Sequence, residues 1–366
     1  MLRFQQSQTL FCYYFQRGIN CYQNKMHKAS IKFCFIFVLF LSACGSRNEK
    51  SKTPVQPVSA KDAVLLNQLV YKNNTDDSVT KYAPEFEIVF HPDAVDGTMA
   101  MIVKKKDSNQ YALVIRGSVI EFSNAGFQNF ILQDFNIFTM KKWEYADTVK
   151  DAYISKGCFI GFQNLLKLKD KSSSLSIKDF IEQKIPAGSS LVITGHSLGG
   201  NLAYPLSGYL KKNLPATQQL QLQLITFGAP AAGNAAFVKD MEEKFPLAER
   251  YVIDRDIAPL FPDLDKMAKL SKILGLDSVL NIGGLKINGI SANTNDLLKV
   301  AGEFLEETNI IPEGSRYEQS QKQLRELNSN VLGAAPKASA DAIFDRAYQF
   351  HKVDAYAILL GGRAIN

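Results

Sequence analysis

The residues best suited to chemistry lie in the run Leu191-Val192-Ile193-Thr194-Gly195-His196-Ser197-Leu198-Gly199-Gly200. A β-branched apolar segment ends there in Gly-x-Ser-x-Gly, and Asn201-Leu202-Ala203 can continue as a helix. Strand, tight turn and helix in that order form a nucleophile elbow, which lifts a serine hydroxyl out of a sheet. A Cβ at either flanking position would clash with the strand or the helix, so both must be glycine. Ser197 is therefore the candidate nucleophile, and the backbone N–H of Leu198 can face an oxyanion.

A serine hydroxyl is a poor nucleophile without a base in hydrogen-bond reach. The chain holds four histidines. His27 lies in the N-terminal leader, and His196 is expected to point away from the reacting side of the elbow. His91 precedes the serine at the end of an early strand, where facing solvent is role enough. His351 lies far downstream and is the candidate general base, with His91 the remaining alternative. The acid that orients the base should sit at the carboxyl end of a strand. Asp256 does so after Tyr251-Val252-Ile253. Asp254 is closer to the strand, and Asp263 and Asp265 read more simply as turn formers.

These groups need a sheet to hold them. Apolar or alternating runs at 86–90, 99–103, 111–115, 190–194, 220–227 and 251–253 predict strands, with helical patterns between, such as Leu202 to Leu210. That alternation predicts an α/β fold with a mainly parallel central sheet, helices on both faces and chemistry at the strands' carboxyl ends. Asp62 is expected to cap a short amphipathic helix with Val64, Leu65, Leu69 and Val70 on its inner face. Residues 263–345 read as a helical insertion ahead of His351. Their apolar positions recur at Met267, Leu270, Ile273 and Leu274, then at Leu297, Leu298, Val300, Ala301, Phe304 and Leu305. The insertion is either a cap over the site or a set of surface helices. The strand Leu113 to Ile115 runs into Arg116-Gly117-Ser118. Ser118 can supply a second oxyanion donor, or the segment is a plain strand end with Arg116 in an ion pair. Cys158, after Gly157 in an apolar stretch, reads as a small core residue.

Taken in order, the motifs resemble the class 3 (fungal-type) triacylglycerol lipases of the α/β-hydrolase superfamily. They are Val114-Ile115-Arg116-Gly117-Ser118, Gly157-Cys158-Phe159-Ile160-Gly161-Phe162, and the elbow from Thr194 to Gly200. Thr226-Phe227-Gly228-Ala229-Pro230 with Gly233-Asn234, Asp256-Ile257-Ala258-Pro259-Leu260-Phe261-Pro262, and His351 with Tyr356 complete the set. The resemblance implies Ser197 as nucleophile, Asp256 as acid, His351 as base and Ser118 at the family's oxyanion position. It also implies a lid just after Ser118, where Val119, Ile120, Phe122, Phe127, Phe130, Ile131 and Leu132 lie; without the family, this segment reads as a buried helix. The interval from Asp256 to His351 is longer than the family leads one to expect, so fungal substrate preferences do not transfer.

The leader carries Arg3, Arg17, Lys25, Lys28 and Lys32 and no acidic residue before Cys44. Without these five charges the net +6 falls to about +1, so the body has no clustered basic groove for nucleic acid. Lys28 and Lys32 precede the apolar run Phe33 to Leu41, which is short for a membrane span and reads as an export signal over 1–43. Met26 is the expected true start, with residues 1–25 an upstream artefact. Leu41-Ser42-Ala43-Cys44 resembles the lipobox of bacterial lipoproteins, which implies a lipidated Cys44 at the mature N-terminus. Residues 44–60 form the lipidated cysteine and a flexible tether, and 61–366 the hydrolase domain. Once the leader is removed and Cys44 acylated, Cys158 has no disulfide partner. Gly45 resembles the sorting position of outer-membrane lipoproteins, implying a lipid-anchored protein of the bacterial cell envelope that meets a membrane surface.

The reading is a serine carboxylic-ester hydrolase acting on lipid esters, triacylglycerols first. A phospholipase A1 or lysophospholipase of the same fold is the alternative, and a non-catalytic surface lipoprotein a third reading. No metal or cofactor is implied, because one usable histidine remains beyond the elbow and no cysteine cluster exists.

Overall fold

The computed structural model describes residues 55–117, 139–262, 317–332 and 349–365, together with the backbone of 281–287 and 290–293. The chain opens with helices α1 (Ala60–Leu69) and α2 (Thr75–Tyr82), then strands β1 (Phe86–Phe90), β2 (Ala100–Lys105) and β3 (Gln110–Ile115). Short strands β4 (Met140–Lys142) and β5 (Tyr153–Ser155) precede helices α3 (Lys156–Lys167) and α4 (Ile177–Lys184). The elbow follows as β6 (Ser190–His196) and α5 (Leu198–Asn213). Next come β7 (Gln221–Phe227), β8 (Gly233–Asn234), α6 (Ala235–Lys244) and β9 (Glu249–Ile253). The remaining elements are β10 (Asn281–Ile287), β11 (Ile290–Asn293), β12 (Tyr317–Glu318), β13 (Leu324–Leu327) and α7 (Val353–Leu359).

The main sheet has the order β1-β2-β3-β6-β7-β9-β13. The pairs β1–β2 and β2–β3 are antiparallel, and every pair from β3 to β13 is parallel. Period-2 alternation sends side chains to two separate cores, as a sheet covered on both faces requires. Leu113, Ile115, Leu191, Ile193 and Leu224 enter one core with Phe162 of α3, Phe180 of α4, Leu206 of α5 and Phe237 of α6. Ala112, Val114, Val192, Ile225 and Phe227 enter the other with Leu66 of α1, Val79 of α2 and Tyr356 of α7. The expected α/β architecture with helices on both faces is present. Ile115 pairs with Gly195, and His196 with Phe227, so the central strands end together just before Ser197. Among the described residues, no helix is long and apolar enough to cross a membrane.

Two local expectations are corrected. Ser59 caps α1, not Asp62: its extended backbone lets the side chain accept from the Asp62 N–H at 3.1 Å. Asp62 instead sits in the first turn, where its charge complements the helix dipole. Leu65 is only half-buried, and Leu66 takes the inner position.

The expected helical insertion also differs in its described part. It contains the antiparallel pair β10–β11, the strand β12 and the strand β13, which extends the main sheet beside β9. Leu-Arg-Glu-Leu is too short and too polar to register as a strand on its own; pairing to the free edge of β9 supplies its order. The helical patterns at 267–274 and 297–305 lie outside the described residues.

Candidate active site

The elbow is built by contact between backbones. Ser197 takes φ 58° and ψ −129°, a left-handed conformation costly for a residue with a Cβ. Its N–H donates to the Phe227 carbonyl at 2.9 Å, so β6 stays pinned to β7 up to the turn itself. A Cβ on Gly195 would lie 2.2 Å from the Gly199 carbonyl carbon, and one on Gly199 would lie 2.2 Å from the Ile115 oxygen. Strand β3, the elbow and α5 thus touch backbone to backbone. Within α5, Asn201 donates its side-chain N–H to the Ala231 carbonyl at 3.0 Å, fixing the loop after β7. Pro205 lacks the N–H that would reach the Asn201 carbonyl, and the buried Cys158 thiol lies 3.9 Å from that oxygen.

The structure brings Ser197, His351 and Asp256 together. Ser197 Oγ lies 2.8 Å from His351 Nε2, and His351 Nδ1 lies 2.9 and 3.0 Å from the two Asp256 oxygens. All three are buried: Ser197 is 7 % exposed, His351 1 % and Asp256 1 %. This network assigns the His351 proton to Nδ1, leaving Nε2 to accept from the serine hydroxyl. Two further donors converge on the carboxylate: the Ala258 N–H at 2.9 Å and the Tyr356 hydroxyl at 2.6 Å. A buried carboxylate requires such partners. Tyr356 also accepts from the Ile253 N–H at 3.2 Å, which ties α7 to the end of β9. Gly228, at φ 57°, leaves room beneath the cluster. A Cβ there would stand 2.8 Å from Asp256 Oδ2 and 3.0 Å from the Tyr356 hydroxyl.

The other sequence candidates fall elsewhere. His91 pairs with Asp76 at 3.2 Å and is no part of this cluster. Asp254 accepts from the Ser329 N–H at 3.0 Å, a structural contact with the segment after β13. Leu198 opens α5, where first-turn N–H groups lack partners inside the helix, so its amide is available beside Ser197. Gly117 packs against the elbow, since a Cβ on it would lie 2.8 Å from the His196 carbonyl oxygen. The next residue, Ser118, lies outside the described residues, as do the lid segment, Cys44, Asp263 and Asp265. Arg116 donates to the Gly97 carbonyl at 3.2 Å, and the ion pair of the alternative reading is not found among the described residues.

His196 requires a correction. Its buried ring does not point away from the site: it lies 4.7 Å from the His351 ring, with Nε2 2.6 Å from the His351 carbonyl oxygen. The elbow reverses the chain at Ser197, so the side chain before it reaches behind the base. Tyr356 and Gly228 belonged to recognisable motifs, but no spacing in the sequence showed that both meet Asp256.

Residues 113–266 match the model of the Lipase (class 3) family. That segment belongs to the class 3 lipase family. A lipase of Caenorhabditis elegans, ZK262.3, is 29 % identical over 97 residues, which are 26 % of this chain and 27 % of that protein. The aligned part spans about a quarter of that relative's length. The crystal structure of M37 lipase is similar over 82 % of this chain and 92 % of its own, with 23 % identity and a TM-score of 0.60. At that identity the likeness is one of fold, and it extends well past the segment the family model matches.

Burial, and then the neighbouring Asp256, hold the Tyr356 phenol well above its ordinary range. The unfolded phenol ionises near pH ~10, while the folded one keeps its proton beyond that. The native state therefore binds more protons above pH ~10, and stability must fall as pH rises there. Tyr356→Phe should cost roughly 1.5–3 kcal/mol at neutral pH by chemical denaturation, and should flatten that alkaline decline. Tyr251 is shifted in the same direction, so part of the slope remains. An unchanged slope and unchanged stability would refute the role given to this hydroxyl.

Proposed function

We propose that this chain is a serine hydrolase of lipid carboxylic esters, with triacylglycerols as its substrate class. The observation that carries the reading is the 2.8 Å contact from Ser197 Oγ to His351 Nε2, with Asp256 behind the imidazole. His351 removes the Ser197 proton as the oxygen attacks the ester carbonyl, and Asp256 stabilises the imidazolium that forms. The Leu198 N–H, at the positive end of α5, donates to the oxyanion. Ser118 is the second donor in this reading, supported by the packing of Gly117 onto the elbow. Collapse of the tetrahedral intermediate expels the alcohol, which takes the proton from His351. Water, deprotonated by the same base, then releases the fatty acid and restores the serine. The class 3 lipase match favours lipid esters over other acyl compounds.

A lipid anchor on Cys44, holding the protein in the bacterial envelope at the outer membrane, belongs to the same reading and rests on the sequence from Leu41 to Gly45. It would keep the body beside a lipid surface. Mass spectrometry of the mature N-terminal peptide should find a diacylglyceryl group on Cys44; an unmodified cysteine there would exclude the anchor.

The reaction is tested with the purified protein on matched micellar triacylglycerols and phosphatidylcholines. Triacylglycerol should release fatty acid, and Ser197→Ala should lower the rate by roughly a thousandfold or more. Preference for phosphatidylcholine would move the assignment to a phospholipase A1. A folded protein inert on both panels would sink the lipid-ester reading.

A further inference from the structure

His196 is a buried, titratable side chain that the reaction above does not use, and its surroundings give it a role. On α1, Asn67 donates its side-chain N–H to Thr194 Oγ1 at 2.9 Å. Tyr71 lies in the turn just after α1, with its hydroxyl 3.3 Å from His196 Nδ1. The contact of Asn67 with Thr194 anchors the end of α1 beside β6, and the turn that follows brings Tyr71 to His196. Gln68, on the same helix, donates to Asp354 of α7 and to the Arg363 carbonyl, so α1 also holds the segment that carries Tyr356.

The hydrogen bonds around His196 have one consistent polarity. The His351 carbonyl oxygen can only accept, so His196 Nε2 must carry the proton donated to it at 2.6 Å. Nδ1 of the neutral ring is then an acceptor, and the Tyr71 hydroxyl, 3.3 Å from it and 3.4 Å from the His196 carbonyl oxygen, has its proton to donate there. The Tyr71 oxygen in turn accepts from the Gly117 N–H at 3.1 Å, one residue before Ser118. Burial, and then the adjacent His351, depress the His196 pKa well below the ordinary range, so the ring stays neutral as this polarity requires. A neutral ring also places no second positive charge beside His351 when the latter becomes an imidazolium.

We propose that His196 and Tyr71 are positioning residues that hold the backbone of the general base and the strand end before the oxyanion donor against one hydrogen-bonded pair. Gly117, Tyr71, His196 and His351 form an unbroken hydrogen-bonded chain that runs behind the general base. It links the base to the strand end before the oxyanion site, whereas Asp256 orients its ring and Tyr356 ties α7 to β9. The inference rests on the serine-hydrolase reading of Ser197, His351 and Asp256.

The test is turnover of a water-soluble p-nitrophenyl ester by the purified protein and by His196→Leu, His196→Gln, Tyr71→Phe and Ser197→Ala. Leucine keeps the bulk but donates no hydrogen bond, whereas glutamine can still direct an N–H at the His351 carbonyl. His196→Leu should lose ~10- to 100-fold in kcat with KM little changed, since misplacement of a reacting group by about 1 Å has that scale of effect. His196→Gln should regain most of that loss, and Tyr71→Phe should also lower kcat. Thermal melting identifies any variant that fails to fold. If His196→Leu does, the comparison of His196→Gln and Tyr71→Phe with the parent decides. A parent that turns over through Ser197, alongside a folded His196→Leu of equal kcat or a His196→Gln no better than His196→Leu, overturns the positioning role. A parent with no Ser197-dependent turnover overturns the reaction itself, and the two failures are thereby distinct.

Discussion

The constraint on which the rest depends is the backbone of Ser197, held at φ 58° where a side chain is disfavoured. Such a conformation costs of order 1–3 kcal/mol and persists only where its surroundings over-determine it. Here three contacts do so: the Ser197 N–H to the Phe227 carbonyl, the approach of Gly199 to Ile115, and that of Gly195 to Gly199. The first needs β6 and β7 in register and the second needs β3 beside them, and that register needs apolar side chains on both faces of the sheet. Both cores therefore serve the position of one hydroxyl.

Around that hydroxyl the chemistry is held by groups from distant parts of the chain. His351 and Tyr356 come from the C-terminal segment, Asp256 and Ala258 from the loop after β9, and Gly228 from the end of β7. Water is nearly excluded from the cluster, which strengthens each hydrogen bond and makes any missing partner expensive. Asp256 accordingly receives the His351 Nδ1–H, the Tyr356 hydroxyl and the Ala258 amide. Behind the base, α1 joins Thr194 and α7 through Asn67 and Gln68, and the turn after it joins His196 through Tyr71.

The meeting of Ser197, His351 and Asp256 was legible because it depends on scarce residue types at element ends. Few histidines exist in the chain, and the order of serine, acid and base limits the choice further. The central strands were equally legible, since runs such as Tyr111 to Ile115 are apolar throughout. What stayed hidden is pairwise and long-range. Leu324 to Leu327 becomes a strand only because β9 offers an edge, and no local pattern announces that. His196 was expected to point away from the site. A one-dimensional pattern gives the reversal at Ser197 but not the depth to which the preceding ring reaches behind His351. Tyr71 is invisible for the same reason, its partner lying 125 positions away. At Ser59 and Asp62, three residues apart, both types are good caps, and only the extended backbone at Ser59 separates them.

The most direct measurement is peptide mapping by mass spectrometry after treatment of the folded protein with an organophosphorus ester. The account predicts a single phosphoryl adduct on Ser197, lost when His351 is replaced by alanine, because the reaction needs a serine oxygen activated by that base. A folded protein that carries no adduct on Ser197, or labels equally well without His351, would contradict it.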